Sequence, residues 1–498
     1  MNISFVDMDG RPNVEGQDVS TCLAVPRTMT EQSKGEALSK EILMDRKSLI
    51  EADRSIIEKA DGFCEGYKRF LCNKTEREIV DYVVPILKEH GYTEYVRGRR
   101  YAPGEKFYKI NRGKNILMCT KGKQPVSEGI RVTVAHTDSP RLDFKPHPLY
   151  EDSSLAFLKT HYYGGIKKYQ WTTIPLSVRG VVFKKDGTKV DIRLGEGHDE
   201  PALMIPDLLV HLSQRQMQKK VSEAVEGEQL NVIVGSVPYD DDKVKEGVKL
   251  AVMQILNERY GITEEDFESA EICAVPAYMP RDAGLDRSMV MAYGQDDSSC
   301  AYAEFAAELD TVDPEFTTMT VFCDKEETGS DGVTGMRSYF FRDFVEDLAE
   351  DEGCAVRDVM RNSLCLSCDV GAGFDPNYPD TMERNNCCFM NYGPCISKYN
   401  GSRGKYGTSD ASAELMSFVL GILRDADVSW QIGELGKVDM GGGGTISSEI
   451  TIHDIDTLDI GVPVLCMHAP LELTAKADVY MLYRAILAVY NSPRSKRN

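Results

Sequence analysis

No stretch of the chain approaches the roughly 18 consecutive apolar residues that a membrane span requires, so no membrane-crossing helix is expected. The opening MNISFVDMDGRPN lacks a basic stretch followed by an apolar one, so no secretory signal is expected and cytoplasmic residence is. Positive charge is also short: 58 Lys and Arg stand against 79 Asp and Glu, a formal net charge of −21. That balance argues against nucleic acid or an anionic membrane as partner and suits a soluble enzyme or a large assembly. The 14 cysteines lack the spacing of an extracellular disulfide framework and are expected as reduced, buried small hydrophobes. Cys365-x-x-Cys368 has no second CxxC to complete a metal site, and Cys387-Cys388 stands alone; both read as structural. There is no GxxxxGK[ST] or GxGxxG spacing to hold a phosphate and no internal period to suggest repeats.

With 498 residues the chain exceeds the roughly 250–300 at which one core stops growing, so two domains are expected. Residues 1–35 are polar and aperiodic and read as a flexible or loosely docked leader. From Glu36 the pattern turns helical, with Thr75 as a cap and Gly91 after the last turn of TEREIVDYVVPILKEHGY. Two strands joined through Asn111-Arg112-Gly113 follow. Residues 148–285 change character: short strands, an Asp186-Gly187 turn and one helical stretch mark a β-hairpin unit rather than βαβ units. This segment reads as a domain inserted between two pieces, 36–147 and 286–498, of a larger one. After Arg287, strands alternate with amphipathic stretches, predicting an α/β domain with a largely parallel, helix-covered sheet.

The chemistry gathers at strand ends. RVTVAHTDSP (131–140) reads as a strand stopping at His136 and Asp138, two residues apart and so on one side. His136 is then a metal-ligand candidate, with Asp138 to fix its tautomer and orientation. By itself a His-x-Asp pair is most often a surface turn. Here four more apolar runs end in an acid or a histidine: at Asp296-Asp297, at Glu326-Glu327, at Asp369 and at His468. Such donors suit first-row metals, with enough carboxylates for two ions. Of Asp296 and Asp297 only one can face its neighbours, and a carboxylate there can bridge two ions. The adjacent glutamates suit a division of labour, one on metal and one free to move a proton. The run Gly441–Gly444 reads as a loop that lets a peptide backbone approach the ions. His147, His161, His198, His211 and His453 have no accompanying pattern and read as structural.

AHTDSPRLDFKP, GQDD, CDKEETGS, CDVGAGFDPNYP, GSRGKYGTSDA, DMGGGGT and VPVLCMHAP occur in the order found in the aspartyl aminopeptidase family of dinuclear metallopeptidases. From about Glu36 to the end, including KTHYYGGIKKYQW in the insert, the chain resembles the bacterial branch of that family. The resemblance implies a phosphorylase/hydrolase-like α/β catalytic domain, a helix-covered mixed sheet and an inserted β-rich dimerisation domain. It implies two divalent ions, zinc with cobalt or manganese as alternatives. His136, Asp296 and Asp369 would hold one; Asp296, Glu327 and His468 the other. Glu326 would be the general base, and Asp138 would orient His136. It further implies peptide substrates cut at the N-terminal residue and a homo-oligomer of twelve subunits built from dimers. A histidine from a neighbouring subunit's insert would complete the site, His211 being the best match. The chain departs from the eukaryotic branch at Ala372, Asp375 and Ala469-Pro470-Leu471, which implies a broad or neutral side-chain preference. Two other functions fit a chain of this fold, a non-catalytic assembly protein and a deacylase of N-acyl amino acids. Competent residues at all five ligand positions weigh against the first.

Overall fold

The computed structural model describes residues 33–44, 46–197 and 199–496. Most of the expected leader and His198 lie outside the described residues. The chain divides after Lys47. Before that point the described residues form one helix, Lys34–Ile42, closed by a reciprocal capping box between Ser33 and Glu36.

The rest is organised on a nine-stranded mixed sheet. At its centre four strands run parallel in the order Thr318–Cys323, Arg131–His136, Leu364–Cys368 and Asp456–Gly461. The first three are buried along their whole length, as a sheet covered by helices on both faces requires. One face packs against the helices Ile56–Phe70, Gln295–Asp310, Ala413–Asp425 and Lys476–Asn491. The other carries Phe341, Phe344, Val345 and Leu348 from the helix Phe340–Glu352. Local signals match these elements. Thr75 accepts the Glu78 N–H at 3.3 Å and Ser412 accepts the Leu415 N–H at 3.1 Å, each closing a helix start. The strands Lys106–Asn111 and Asn115–Thr120 pair antiparallel through the Asn111–Gly113 turn.

A six-stranded antiparallel sheet is built between Arg141 and Pro276, in the order Lys189–Leu194, Leu176–Phe183, Ala270–Pro276, Arg141–Asp152, Leu155–Tyr163, Asn231–Gly235. It has its own core around Trp171, Leu176, Val232 and Val248. Among the described residues no helix is long and apolar enough to cross a membrane.

One expectation is corrected. The runs ending at Asp296 and His468 do not belong to the large sheet. Met289–Ala292, Pro463–Leu465 and Glu472–Ala475 lie in a separate five-stranded sheet, pairing antiparallel. Short runs of apolar residues read alike in a parallel core strand and in a small antiparallel sheet, so the pattern could not tell them apart.

Candidate metal centre

Because the central strands are in register, with Cys323 opposite His136, their carboxyl ends lie side by side. Such ends are where open α/β sheets collect ligand-binding groups. His136 ends its strand, Asp369 follows Cys368, and Glu326 and Glu327 form a single 3-10 turn just past Cys323. From the five-stranded sheet come Asp296, at the irregular start of the helix Gln295–Asp310, and His468, between Leu465 and Glu472. The Asp296–Asp297 peptide is cis.

Two groups result, His136 with Asp296 and Asp369, and Asp296 with Glu327 and His468; within each, the donor atoms lie within 4.8 Å of one another. Asp296 is common to both. Its Oδ1 is 3.3 Å from His136 Nε2 and its Oδ2 is 3.2 Å from His468 Nε2. Glu327 Oε2 is 3.5 Å from His468 Nε2, and Glu326 Oε2 is 3.9 Å from His136 Nε2. Both imidazoles are held from behind by a main-chain carbonyl: His136 Nδ1 is 2.9 Å from the Asp138 oxygen and His468 Nδ1 is 2.9 Å from the Gly165 oxygen. A proton on each Nδ1 leaves each Nε2 lone pair facing the centre, the state a metal ligand needs.

Asp138 has a wider role than its position in the sequence suggests. Its side chain is buried, with Oδ1 3.4 Å from His136 Nδ1. It also accepts the Tyr163 hydroxyl at 2.7 Å and the backbone N–H groups of Glu326 and Glu327, each at 3.2 Å. One carboxylate thus ties the His136 loop to the turn that carries both glutamates.

The electrostatics follow from crowding. Burial works against the His136 imidazolium, but hydrogen bonds and charge from Asp138 and Asp296 outweigh it and hold its pKa well above the ordinary value. His468, where burial is likewise outweighed by Asp296 and Glu327, is raised to about 10. Burial, then the neighbouring acids, pushes Glu327 and Asp369 well up. Glu326 rises to about 6, burial outweighing the pull of His136. Asp296, between two histidines, is lowered although burial opposes it. Glu327 Oε1 is buried without a hydrogen-bond partner. Packing acids this closely costs free energy unless cations lie among them.

Several site contacts lie outside the residues singled out at the strand ends. Glu472 is almost fully buried; it accepts the His468 N–H at 2.7 Å and the Asp296 N–H at 3.1 Å, clamping both loops of the smaller sheet. Tyr163 and Gly165 reach the site from within residues 148–285. Gly164 there has φ +75°, and a Cβ would come within 3.2 Å of Glu327 Oε2. The motif KTHYYGGIKKYQW was the signal for these residues. None of His147, His161, His211 and His453 joins either donor group.

A cavity of about 430 Å³ opens over the centre, walled partly by Gly442–Gly444 and Asn400. One buried acid anchors this wall: Asp459 accepts Thr445 Oγ1 at 2.7 Å and Ser409 Oγ at 3.0 Å. Cys388 and Cys395 also line it. Expected as thiols, they instead form a disulfide, their Cα atoms brought to 6.0 Å where Cys388 bridges to Gly373 beside the strand Cys395–Ser397. Cys365, Cys368 and Cys387 are buried and outside any disulfide, as expected.

Residues 70–490 match the model of the aminopeptidase I zinc metalloprotease family, M18. A probable M18 family aminopeptidase 1 of Clostridium acetobutylicum is 47% identical over 437 residues, 86% of this chain and 94% of the relative. The crystal structure of an M18 family aminopeptidase from Thermotoga maritima superposes with a TM-score of 0.86 at 42% identity, covering 90% of this chain and 99% of that one. A more distant structure, described as the S. cerevisiae mApe1 dodecamer, shares the fold with a TM-score of 0.70 at 20% identity, covering 87% and 98%. The chain therefore belongs to the M18 family of zinc metalloproteases and is a metal-dependent aminopeptidase.

Proposed function

We propose that the centre holds two divalent ions, zinc with cobalt or manganese as alternatives, and that Glu326 is the general base of peptide hydrolysis. The carrying observation is the Asp296 carboxylate, which turns one oxygen to His136 and the other to His468. That disposition suits a bridging ligand, with Asp369 completing one ion's set and Glu327 the other's. The donor set fits: imidazole and carboxylate suit zinc, manganese and cobalt, and the unpartnered Glu327 oxygen is explained by an ion beside it.

Two such ions would polarise the scissile carbonyl and make water a stronger nucleophile at neutral pH. The protein's own groups supply the rest. Glu326 belongs to neither donor group, so its carboxylate is free to take a proton from the attacking water and deliver it to the leaving amine. Asp138 fixes where that carboxylate sits, through the Glu326 N–H, and holds the His136 loop in the same register. Purified protein is expected to carry about two first-row metal ions per chain and to release the first residue of peptides with a free amine, not of their N-acetyl forms. Metal analysis alongside paired free and N-acetylated aminoacyl-anilides checks this. Preference for the acetylated forms would instead mark a deacylase, and failure to bind metal would leave a scaffold.

Assembly follows the same reading. We infer that residues 148–285 form the inserted dimerisation domain, in a cytoplasmic homo-oligomer of twelve subunits built from dimers. Its segment Leu208, Leu209, Val210, Leu212 exposes four large apolar side chains in succession, with His211 exposed among them. Such a patch on a soluble protein marks a contact surface, and closed symmetry is the usual outcome. His211 reaching a neighbour's centre fits this arrangement. Light scattering should find a large closed particle; a stable, fully active monomer would end the idea.

A further inference from the structure

The cavity over the centre extends well past the metal-binding groups. Among the described residues that line it there is no lysine or arginine, and five are acids: Asp296, Glu326, Glu327, Asp369 and Glu434. Two divalent ions bring four positive charges, and the first four acids bring four negative ones. Glu434 is left as the charge in excess, on a wall it shares with Leu435, Asn400 and Gly442–Gly444.

Glu434 is half-buried at this wall and its Oε1 accepts the Tyr399 hydroxyl. No other hydrogen bond and no ion pair reaches its carboxylate among the described residues. Cations do stand nearby: Arg403, Lys405 and Lys437 line an adjoining cleft that Glu434 also borders. Lys405 pairs with Asp410 at 3.0 Å and lies over the Tyr399 ring, and none of the three comes within ion-pair distance of Glu434. The rest of the lining offers Val370, Ala372 and Met467, which would flank an aliphatic stem. Apolar lining together with a carboxylate that has no cationic partner is the complement of a long cationic side chain.

We propose that Glu434 is a specificity-determining residue and that the enzyme favours peptides beginning with Lys or Arg over those beginning with Asp or Glu. The inference rests on the proposed reading of the centre, since the balance of charge counts two ions. Neutral N-terminal residues that fill the apolar part remain substrates. The test is a panel of Lys-, Arg-, Leu-, Asp- and Glu-anilides with metal-loaded, full-length enzyme. Wild type is expected to show kcat/KM at least tenfold higher for Lys and Arg than for Asp and Glu, and the gap should narrow with added salt. Glu434→Gln should lower the Lys-to-Leu ratio about tenfold, the scale of one charged hydrogen bond. Glu434→Lys should shift the panel toward Asp and Glu. Equal or better turnover of the acidic substrates by wild type would overturn the proposal, as would an unchanged Lys-to-Leu ratio in Glu434→Gln. A uniform loss on all five substrates would also overturn it, assigning the carboxylate to the α-amine instead. Leu-anilide separates the two levels: if it is cleaved and selectivity fails, only this inference falls; if no anilide is cleaved, the reading of the centre falls with it.

Discussion

Glu326→Gln is expected to lower kcat by about 10²- to 10⁴-fold while leaving bound metal unchanged, the range for loss of a positioned proton acceptor. The amide keeps the shape of the side chain, and the Glu326 N–H still reaches Asp138 at 3.2 Å, so the turn should hold. What disappears is a carboxylate within 3.9 Å of His136 Nε2 that neither donor group claims. KM should change little, because the loss falls on proton transfer rather than on binding. Metal analysis and steady-state kinetics on the same preparation give the answer. Full activity with metal bound would remove Glu326 from the role, and lost metal would place it among the ligands.

A larger effect is expected at Asp296. Replacing it with Asn should strip the protein of both ions and bring activity at least as low as Glu326→Gln does, because this carboxylate alone faces both histidines. His136→Ala should by contrast empty one position and leave the other, whose donors are Asp296, Glu327 and His468. The comparison is a count of ions per chain: about two for wild type, about one for His136→Ala and near none for Asp296→Asn. Equal retention in both variants would show that Asp296 does not bridge.

How far the sequence reaches into this structure depends on the kind of contact. Fully buried strands such as Arg131–His136 and Thr318–Cys323 are runs of apolar and β-branched residues and can be seen directly. The residues at their ends therefore stand out, and the structure does bring His136, Asp369 and the two glutamates together. The sheet that carries Asp296 and His468 was not legible, because pairing across some 180 residues leaves no local mark. Nor was Glu472, an acid in an otherwise ordinary strand, since a carboxylate that accepts backbone N–H groups looks like any surface acid until its burial is known. Asp138 was visible as a partner of His136, but its grip on the Glu326 and Glu327 amides depends on how a turn folds over it. The Cys388–Cys395 disulfide was missed because an open cysteine spacing says nothing about which loops meet.

The bond from His468 to the Gly165 carbonyl bears on how this protein can change. A main-chain acceptor is present whatever side chain stands there, so ordinary substitutions around it pass unnoticed unless they crowd the ring. At Gly165 itself a Cβ would meet His468 Nδ1 at 3.4 Å, an ordinary van der Waals contact, so only a larger side chain would press on the ring. Altered loop length is another matter: one residue added or removed between Tyr163 and Trp171 would shift the carbonyl and misdirect the histidine. The β-rich segment is thus not a detachable module. Chimeras that exchange it between relatives should stay active only if the junctions preserve this short loop, and lineages that lengthen it should need a new acceptor for His468.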